Sequence, residues 1–232
     1  DAEAVVVVYE ARSSEAVLAA VEETGFSKNR LFRVDGEGDG LSFSDLRSDT
    51  LYQGPAPDND GNICLMLYTS GTTARPKGVP RSHAAERNAS LSCVAQLHYT
   101  YGDVCLGVMP LFHTMGIRSL MMSAILNGTF VCMPAYDTET ALTLIGQEKI
   151  TSLFLVPTMF HDIVHHEGLS KFDLSSVSNI AYAGMSMTTA LVESCAALFP
   201  DAEFSNFYGS SEIYTFAVRN NLAENPGSAG RA

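Results

Sequence analysis

The sequence has little positive charge, no long apolar run and no signal-peptide pattern in its first residues. Its 14 Lys and Arg residues are outnumbered by 26 Asp and Glu residues, which gives a formal net charge of −12. This balance argues against nucleic acid or an anionic membrane as a partner, because phosphate backbones are bound by an excess of Lys and Arg. No apolar run approaches the roughly 18 residues of a membrane span, so we expect no integral membrane segment. The opening DAEAVVVVYE lacks the basic region and cleavage site of a signal peptide.

The cysteines are odd in number and contain no CxxC pair, which argues against zinc ribbons and redox dithiols. Several of them lie inside apolar runs, and the full set is Cys64, Cys93, Cys105, Cys132 and Cys195. This pattern is typical of reduced thiols buried in the core of a cytosolic protein. We therefore expect a cytoplasmic location.

The 232 residues, 46% of them hydrophobic, are enough to bury a sizeable core. Short, continuously apolar segments alternate with helical patterns, which indicates strands covered on both faces. The predicted fold class is α/β, a mostly parallel sheet with helices on both faces. The expected strands are Val5 to Tyr9, Leu31 to Val34, Ile63 to Tyr68, Val104 to Met109, Thr129 to Met133, Ser152 to Val156, Asn179 to Tyr182 and Glu203 to Phe207. The expected helices are Ser14 to Glu23, Ser82 to Leu97, Gly116 to Leu126, Thr138 to Glu148, Met159 to His166 and Thr188 to Phe199.

A loop rich in hydroxyl groups, YTSGTTARPKGV, occupies residues 68–79, directly behind an apolar run. Its hydroxyls, its glycine backbone and Lys77 suit an anion at the carboxyl end of a buried strand. The helix expected after it would add its N-terminal dipole. The spacing is not that of the common nucleotide-binding P-loop, because Lys77 precedes Gly78. Composition alone does not distinguish this anion site from an ordinary Ser/Thr/Gly loop that binds nothing.

The order YTSGTT-x-x-PKG resembles the phosphate-binding signature of the adenylate-forming superfamily, which includes acyl- and aryl-CoA synthetases, adenylation domains and luciferases. MPLFHTMG at 109–116 is similar to that family's acyl-pocket segment, and NFYGSSE at 206–212 is similar to its YGxTE segment. The resemblance covers nearly the whole chain. It implies that residues 1–232 are part of a large N-terminal domain, and that a C-terminal lysine-bearing domain lies outside this chain.

The resemblance also implies a reaction. An acid is joined to AMP from Mg-ATP with release of pyrophosphate, and the acyl group then passes to coenzyme A. ATP, Mg²⁺, coenzyme A and a small carboxylic acid are the implied cofactors and partners, and a homodimer is left open. Within the family, the sequence most resembles benzoate-, chlorobenzoate- or fatty-acid-CoA ligases. Without the lysine-bearing domain, we expect the 232-residue piece alone to be inactive.

The family's roles are carried over here by motif. The residues implied to hold the β- and γ-phosphates are Thr69, Ser70, Gly71, Thr72, Thr73 and Lys77. The residues implied to surround the adenine and α-phosphate are Gly184, Met185, Ser186, Tyr208, Gly209 and Ser211. Glu212 is implied to bind Mg²⁺, and His113 to stand at the mouth of the acyl pocket, so that His113, Glu212 and Lys77 form the catalytic set. The other implied pocket walls are Thr114, Met115, Ala183 and Tyr214.

The sequence departs from the family pattern at positions 74 and 211, and two alternative functions remain. Ala74 stands where the family usually has Gly, and a positive φ there would cost alanine about 1 kcal/mol. A non-catalytic nucleotide-binding relative is one alternative for that reason. A peptide-synthetase-type adenylation domain is another, although PLFHTMG contains no acid to recognise an amino group. Ser211 replaces a threonine but keeps the hydroxyl.

His161 and His165 are four residues apart on a predicted helix, a spacing that metal ligands also use. No HExxH glutamate lies between them, which favours a solvent-exposed helix face.

Overall fold

The computed structural model describes residues 2–51, 53–54, 59–70, 75–224, 226, 228 and 230. The chain forms two compact units, Asp1–Asp58 and Asn59–Ala232. None of the helices in these described ranges is both long and apolar enough to cross a membrane.

Within its described residues, the first unit is a small parallel sheet with one α-helix and three short 3-10 helices. Its elements are β1 (Val7–Tyr9), α1 (Ser14–Thr24), β2 (Leu31–Arg33) and β3 (Leu41–Ser42), and the strand order is β1-β2-β3. The helix ends at Thr24, and its C-cap Gly25 has a φ of 67°, the left-handed conformation that favours glycine. Tyr9, Val21 and Leu31 form its buried core.

The second unit begins with an antiparallel hairpin, which corrects the sequence-based prediction. Its strands are β4 (Ile63–Thr69) and β5 (Lys77–Ser82), and α2 (His83–Gln96) follows. Among the described strands these two form a sheet of their own, with Thr69 opposite Lys77. The expectation that β4 is a buried strand of the parallel sheet is wrong, since Ile63 is 56% exposed. The loop is a hairpin connection, and all of β5 separates it from the N-terminus of α2, so the helix dipole does not act directly at the loop.

The main sheet of the second unit has six strands within the described residues. They are β6 (Val104–Gly107), β7 (Thr129–Cys132), β8 (Ser152–Leu155), β9 (Asn179–Tyr182), β10 (Glu203–Tyr208) and β11 (Ala217–Arg219), and their order is β11-β10-β9-β8-β6-β7. All neighbours pair in parallel except β10 and β11. The mostly parallel α/β prediction is confirmed; the short antiparallel β11 was not predicted.

Helices cover both faces of this sheet. They are α3 (Thr114–Ile125), α4 (Thr138–Glu148), α5 (Pro157–Val164) and α6 (Thr189–Leu198). The last three pack on one face, and α2 and α3 pack on the other. Alternation along β8 shows this directly, since Leu153 and Leu155 belong to the first core and Phe154 to the second. Strands buried on both faces must be apolar at successive positions, which is why β8 reads SLFL.

The cysteines divide into two groups. Cys93, Cys105 and Cys195 are buried, as the apolar context predicted, whereas Cys64 and Cys132 are exposed. Cys64 is exposed because it lies on β4, outside the main sheet. Cys132 ends β7, which is at the edge of that sheet.

Candidate active site

The carboxyl ends of β6, β8, β9 and β10 lie at one edge of the sheet, because these strands are parallel. The segments that follow three of them carry the predicted site residues. The segment after β6 leads to His113, the segment after β9 contains Ala183 and Gly184, and the segment after β10 contains Gly209 and Ser211. Parallel pairing therefore brings together motifs that lie about 100 residues apart in the chain.

A cavity of about 240 Å³ lies among these segments, and we call it the central cavity. The predicted residues that line it are His113, Thr114, Met115, Ala183, Gly184, Gly209, Ser211 and Tyr214. The lining residues that sequence reasoning missed are Arg118, Phe154, Phe207, Ser210 and Thr215. The close approach of the chain requires glycine at 209, because a Cβ there would lie 1.4 Å from the Tyr214 carbonyl oxygen.

A second cavity of about 230 Å³, the loop cavity, lies beside the start of the loop at 68–79. It is lined by Leu67, Tyr68, Thr69, Ser70, Phe112, His113, Thr114 and Ser211. Three of these residues also line the central cavity, so the two spaces meet at His113, Thr114 and Ser211. The predicted residues Gly71, Thr72 and Thr73, and Ala74 beside them, lie outside the described residues.

His113 is the N-cap of α3. Its Nδ1 accepts a hydrogen bond of 3.2 Å from the backbone N–H of Met115. Partial burial lowers the pKa of His113 below its usual value of 6.5, so the ring is neutral at neutral pH. In a neutral ring whose Nδ1 accepts, the proton is on Nε2. The cap therefore leaves Nε2–H as the donor of the ring, and His113 lines both cavities.

Glu212 is exposed and ionised. A hydrogen bond from Ser210 lowers the pKa of its carboxyl group, and the charge of Lys77 contributes to the same shift. The backbone carbonyl of Glu212 accepts a hydrogen bond of 2.6 Å from Arg81 Nη1. The described residues contain no cluster of three or more His, Cys, Asp and Glu side chains that would hold a metal ion by themselves. One ionised carboxylate fits Mg²⁺, which takes one or two protein oxygens and completes its shell with phosphates and water.

A buried charged network behind the cavity was missed by sequence reasoning. Arg81 Nε and the Tyr214 hydroxyl both donate to Glu86 Oε1, at 2.6 and 2.7 Å. The guanidinium groups of Arg81 and Arg118 each lie 4.2 Å from the centroid of the Tyr214 ring. The available signal was Arg118 itself, the single charge in the helix sequence TMGIRSLMMSAI.

The residues predicted to surround adenine do not converge on one cavity. Tyr208 is 59% exposed and its ring stacks on Phe216 at a centroid distance of 5.8 Å. Met185 and Ser186 line a separate groove of about 390 Å³ beside α5 and α6, while Gly184 lines the central cavity.

The same groove contains His161 and His165. Their rings stack 4.2 Å apart, and both side chains are exposed, in agreement with the prediction of an exposed helix face.

Comparison with known protein families identifies the relatives of this chain. The model of the family described as AMP-binding enzyme matches residues 1–232. The chain belongs to the AMP-binding enzyme family. The resemblance seen in the three motifs is therefore confirmed across the whole chain.

Among curated relatives, this AMP-binding chain is 31% identical to 4-chlorobenzoate–CoA ligase of Pseudomonas sp. (strain CBS-3), over 71% of the chain and 32% of that protein. It is 32% identical to feruloyl-CoA synthase of Amycolatopsis sp., over 73% of the chain and 35% of that protein. The chain thus spans about a third of the length of the curated relatives that it matches.

Solved structures agree on the fold. An anthranilate CoA ligase in complex with anthranoyl-AMP aligns with a TM-score of 0.85 at 23% identity, over 97% of this chain and 45% of that one. The luciferase-like enzyme of the mealworm Zophobas morio aligns with a TM-score of 0.83 at 22% identity, over 97% and 54%.

Proposed function

We propose that the protein containing this chain is an acid–thiol ligase. It activates a carboxylic acid with Mg-ATP to an acyl-adenylate, releases pyrophosphate and transfers the acyl group to coenzyme A. The observation that supports this most is the junction of the two cavities at His113, Thr114 and Ser211. An acid in the central cavity and a triphosphate in the loop cavity would meet there, as attack of a carboxylate on the α-phosphorus requires.

In this proposal each side of the junction has a separate task. Thr69, Ser70 and Lys77, with the loop residues between them, hold the β- and γ-phosphates. Glu212 would hold Mg²⁺, which would supply positive charge to offset the charge on the phosphate oxygens. His113 donates its Nε2–H to the acid's carboxylate and orients it, while the Ser211 hydroxyl contacts the α-phosphate. Catalysis of such transfers is mostly positioning and charge neutralisation, so no general base is needed.

We further propose an aromatic acid as the substrate, with a fatty acid as the other candidate. Phe154 and Phe207 line the central cavity, and their ring centroids are 5.4 Å apart. Sites for small aromatic ligands combine aromatic walls with a few placed polar groups, and here His113, Thr114 and Ser211 are among the polar lining residues. The named substrates of the relatives, 4-chlorobenzoate and ferulate by their enzymes' names, support the same class.

We also propose that the chain is part of an N-terminal domain completed elsewhere in the protein, because it spans a third of its curated relatives. On this basis the isolated 232-residue piece binds nucleotide weakly and does not turn over.

The test is carboxylate-dependent exchange of pyrophosphate into ATP by the full-length gene product. The panel contains benzoates, cinnamates, short and long fatty acids, and amino acids. We expect exchange with aromatic acids, lost on Glu212→Gln and retained on Glu193→Gln, a matched change at an exposed position on α6. Exchange with amino acids alone would establish the adenylation-domain alternative. ATP binding without exchange for any acid would establish the non-catalytic alternative and contradict the proposal.

A further inference from the structure

Among the described residues, the buried cation Arg118 has no carboxylate partner. Its side chain is 4% exposed, and its Nε has no hydrogen-bond partner among the described residues. Its contacts are a hydrogen bond from Nη1 to Cys93 Sγ and the face of the Tyr214 ring. Burial raises the pKa of the Cys93 thiol, so that sulfur is uncharged at neutral pH and does not neutralise the guanidinium.

The nearby carboxylate of Glu86 is paired through one oxygen with other groups. Its Oε1 accepts from both Arg81 and Tyr214, its Oε2 has no hydrogen-bond partner in the described part of the chain, and the structure shows no ion pair between Glu86 and Arg118. The network of Arg81, Glu86 and Arg118 therefore carries one excess positive charge at the wall of the central cavity. An unpaired buried charge is costly, and such charges in proteins are normally paired.

Arg118 also forms part of a cavity wall. It lines the central cavity together with Phe154 and Phe207, and none of these three lines the loop cavity. Arg118 follows His113 by five residues on α3, which separates the two positions by about 7.5 Å along the helix axis. The His113 ring and the Arg118 guanidinium are therefore two separate polar groups in the lining of the central cavity.

We propose that the central cavity takes a carboxylic acid with a second anionic group, and that Arg118 binds this distal group as its counter-ion. Within the aromatic acids of the proposed function, this narrows the substrate class to an aromatic dicarboxylic acid, or another dicarboxylic acid of similar length, and disfavours the fatty-acid candidate. The identity of the proximal group rests on the proposed function, because His113 and the loop cavity determine which carboxylate is activated. The anion site itself rests only on Arg118 and its surroundings.

The test measures binding and exchange separately on the full-length gene product. Terephthalate, isophthalate and 4-carboxycinnamate are each paired with their distal monomethyl ester, which has nearly the same shape without the second charge. Equilibrium binding is measured by calorimetry without ATP, for the wild type, Arg118→Met, Arg118→Lys and Arg87→Met. Arg87 is an exposed arginine on α2 and serves as the matched control. Circular dichroism checks that each variant is folded.

We expect at least one diacid to bind the wild type and the Arg87→Met control about 10-fold or more tightly than its monoester, the effect of one charge-assisted hydrogen bond. Arg118→Met abolishes this preference, and Arg118→Lys keeps part of it because the charge remains. A side chain that only supports the Tyr214 ring would weaken diacid and monoester equally, so the binding ratio separates the two roles.

Equal binding of every pair by the wild type, no binding of either compound, or a preference that survives Arg118→Met would overturn the proposal, whether or not exchange occurs. A preference lost in Arg118→Met without exchange for any acid would support the anion site and contradict the ligase activity. The two proposals therefore fail by different readouts.

Discussion

Replacing Arg81 with Met tests whether the buried network supports the candidate site. The arginine side chain is 9% exposed and its partner Glu86 is 5% exposed. The substitution removes the ion pair of 2.6 Å, the hydrogen bond of 2.6 Å to the Glu212 carbonyl and the cation–π contact with Tyr214. Glu86 then remains buried, with only the Tyr214 hydroxyl as a partner.

Breaking a buried ion pair by removing one partner destabilises a protein by about 3–5 kcal/mol. Here Glu86 Oε1 loses its direct ion-pair partner, and Arg118, which hydrogen-bonds Cys93 instead, does not replace it. For a unit of this size, about 1 kcal/mol lowers the melting temperature by roughly 2–4 °C, so a decrease of roughly 6–20 °C is expected. Arg87→Met, an exposed change on α2, should stay within about 0.5 kcal/mol of the wild type. Adding Glu86→Leu to Arg81→Met should recover part of the loss, since a buried pair replaced by apolar side chains is often near neutral.

The measurement is thermal and urea unfolding of the wild type, the two single arginine variants and the double variant. The reasoning is refuted if Arg81→Met is no less stable than Arg87→Met. It is also refuted if the double variant is less stable than Arg81→Met alone, because the removal of Glu86 would then be a further loss instead of a relief.

Three further predictions follow from the geometry. Gly209→Ala should disorder the segment after β10 and abolish the exchange of pyrophosphate into ATP. Gly168→Ala should be tolerated, because the nearest neighbour of the added Cβ would lie 3.6 Å away. Equal exchange activity of the two variants would contradict this prediction. Because the pKa of His113 is lowered on folding, the unfolded chain binds more protons below pH 6.5, and His113 makes stability fall as the pH drops. His113→Gln should flatten that fall in unfolding experiments between pH 7.5 and 5.5, and a steeper fall would refute the sign. In the native protein a maleimide should label the exposed Cys132 but not the buried Cys105, whose pKa burial raises to about 12; early labelling of Cys105, followed by mass spectrometry, would contradict the structure.

The elements of the main sheet were predictable because their signals are local. The strand at Asn179–Tyr182 and the helix at Thr138–Glu148 have the predicted bounds, since an apolar run and an N-cap are properties of neighbouring residues. The hairpin was not predictable in the same way. An apolar run such as Ile63 to Leu67 shows that a strand forms but not which strand pairs with it.

The candidate site also has a part that local sequence predicts and a part that it does not. The motifs around Lys77, His113 and Glu212 could be recognised from the order of their residues, and parallel strands then had to bring their ends together. Arg81 and Glu86 form a pair whose place behind the cavity no local pattern indicates, because it depends on Tyr214, 128 residues away from Glu86.

By itself, the sequence determined the α/β class, the succession of strands and helices, and the family whose chemistry the motifs carry. Only the tertiary structure decided that the loop closes a hairpin, that two cavities meet at His113, and that Arg118 is a buried cation without a carboxylate partner among the described residues. The physical reason is that secondary structure and motifs depend on neighbouring residues, whereas burial and charge compensation depend on which distant side chains the fold brings within a few ångströms.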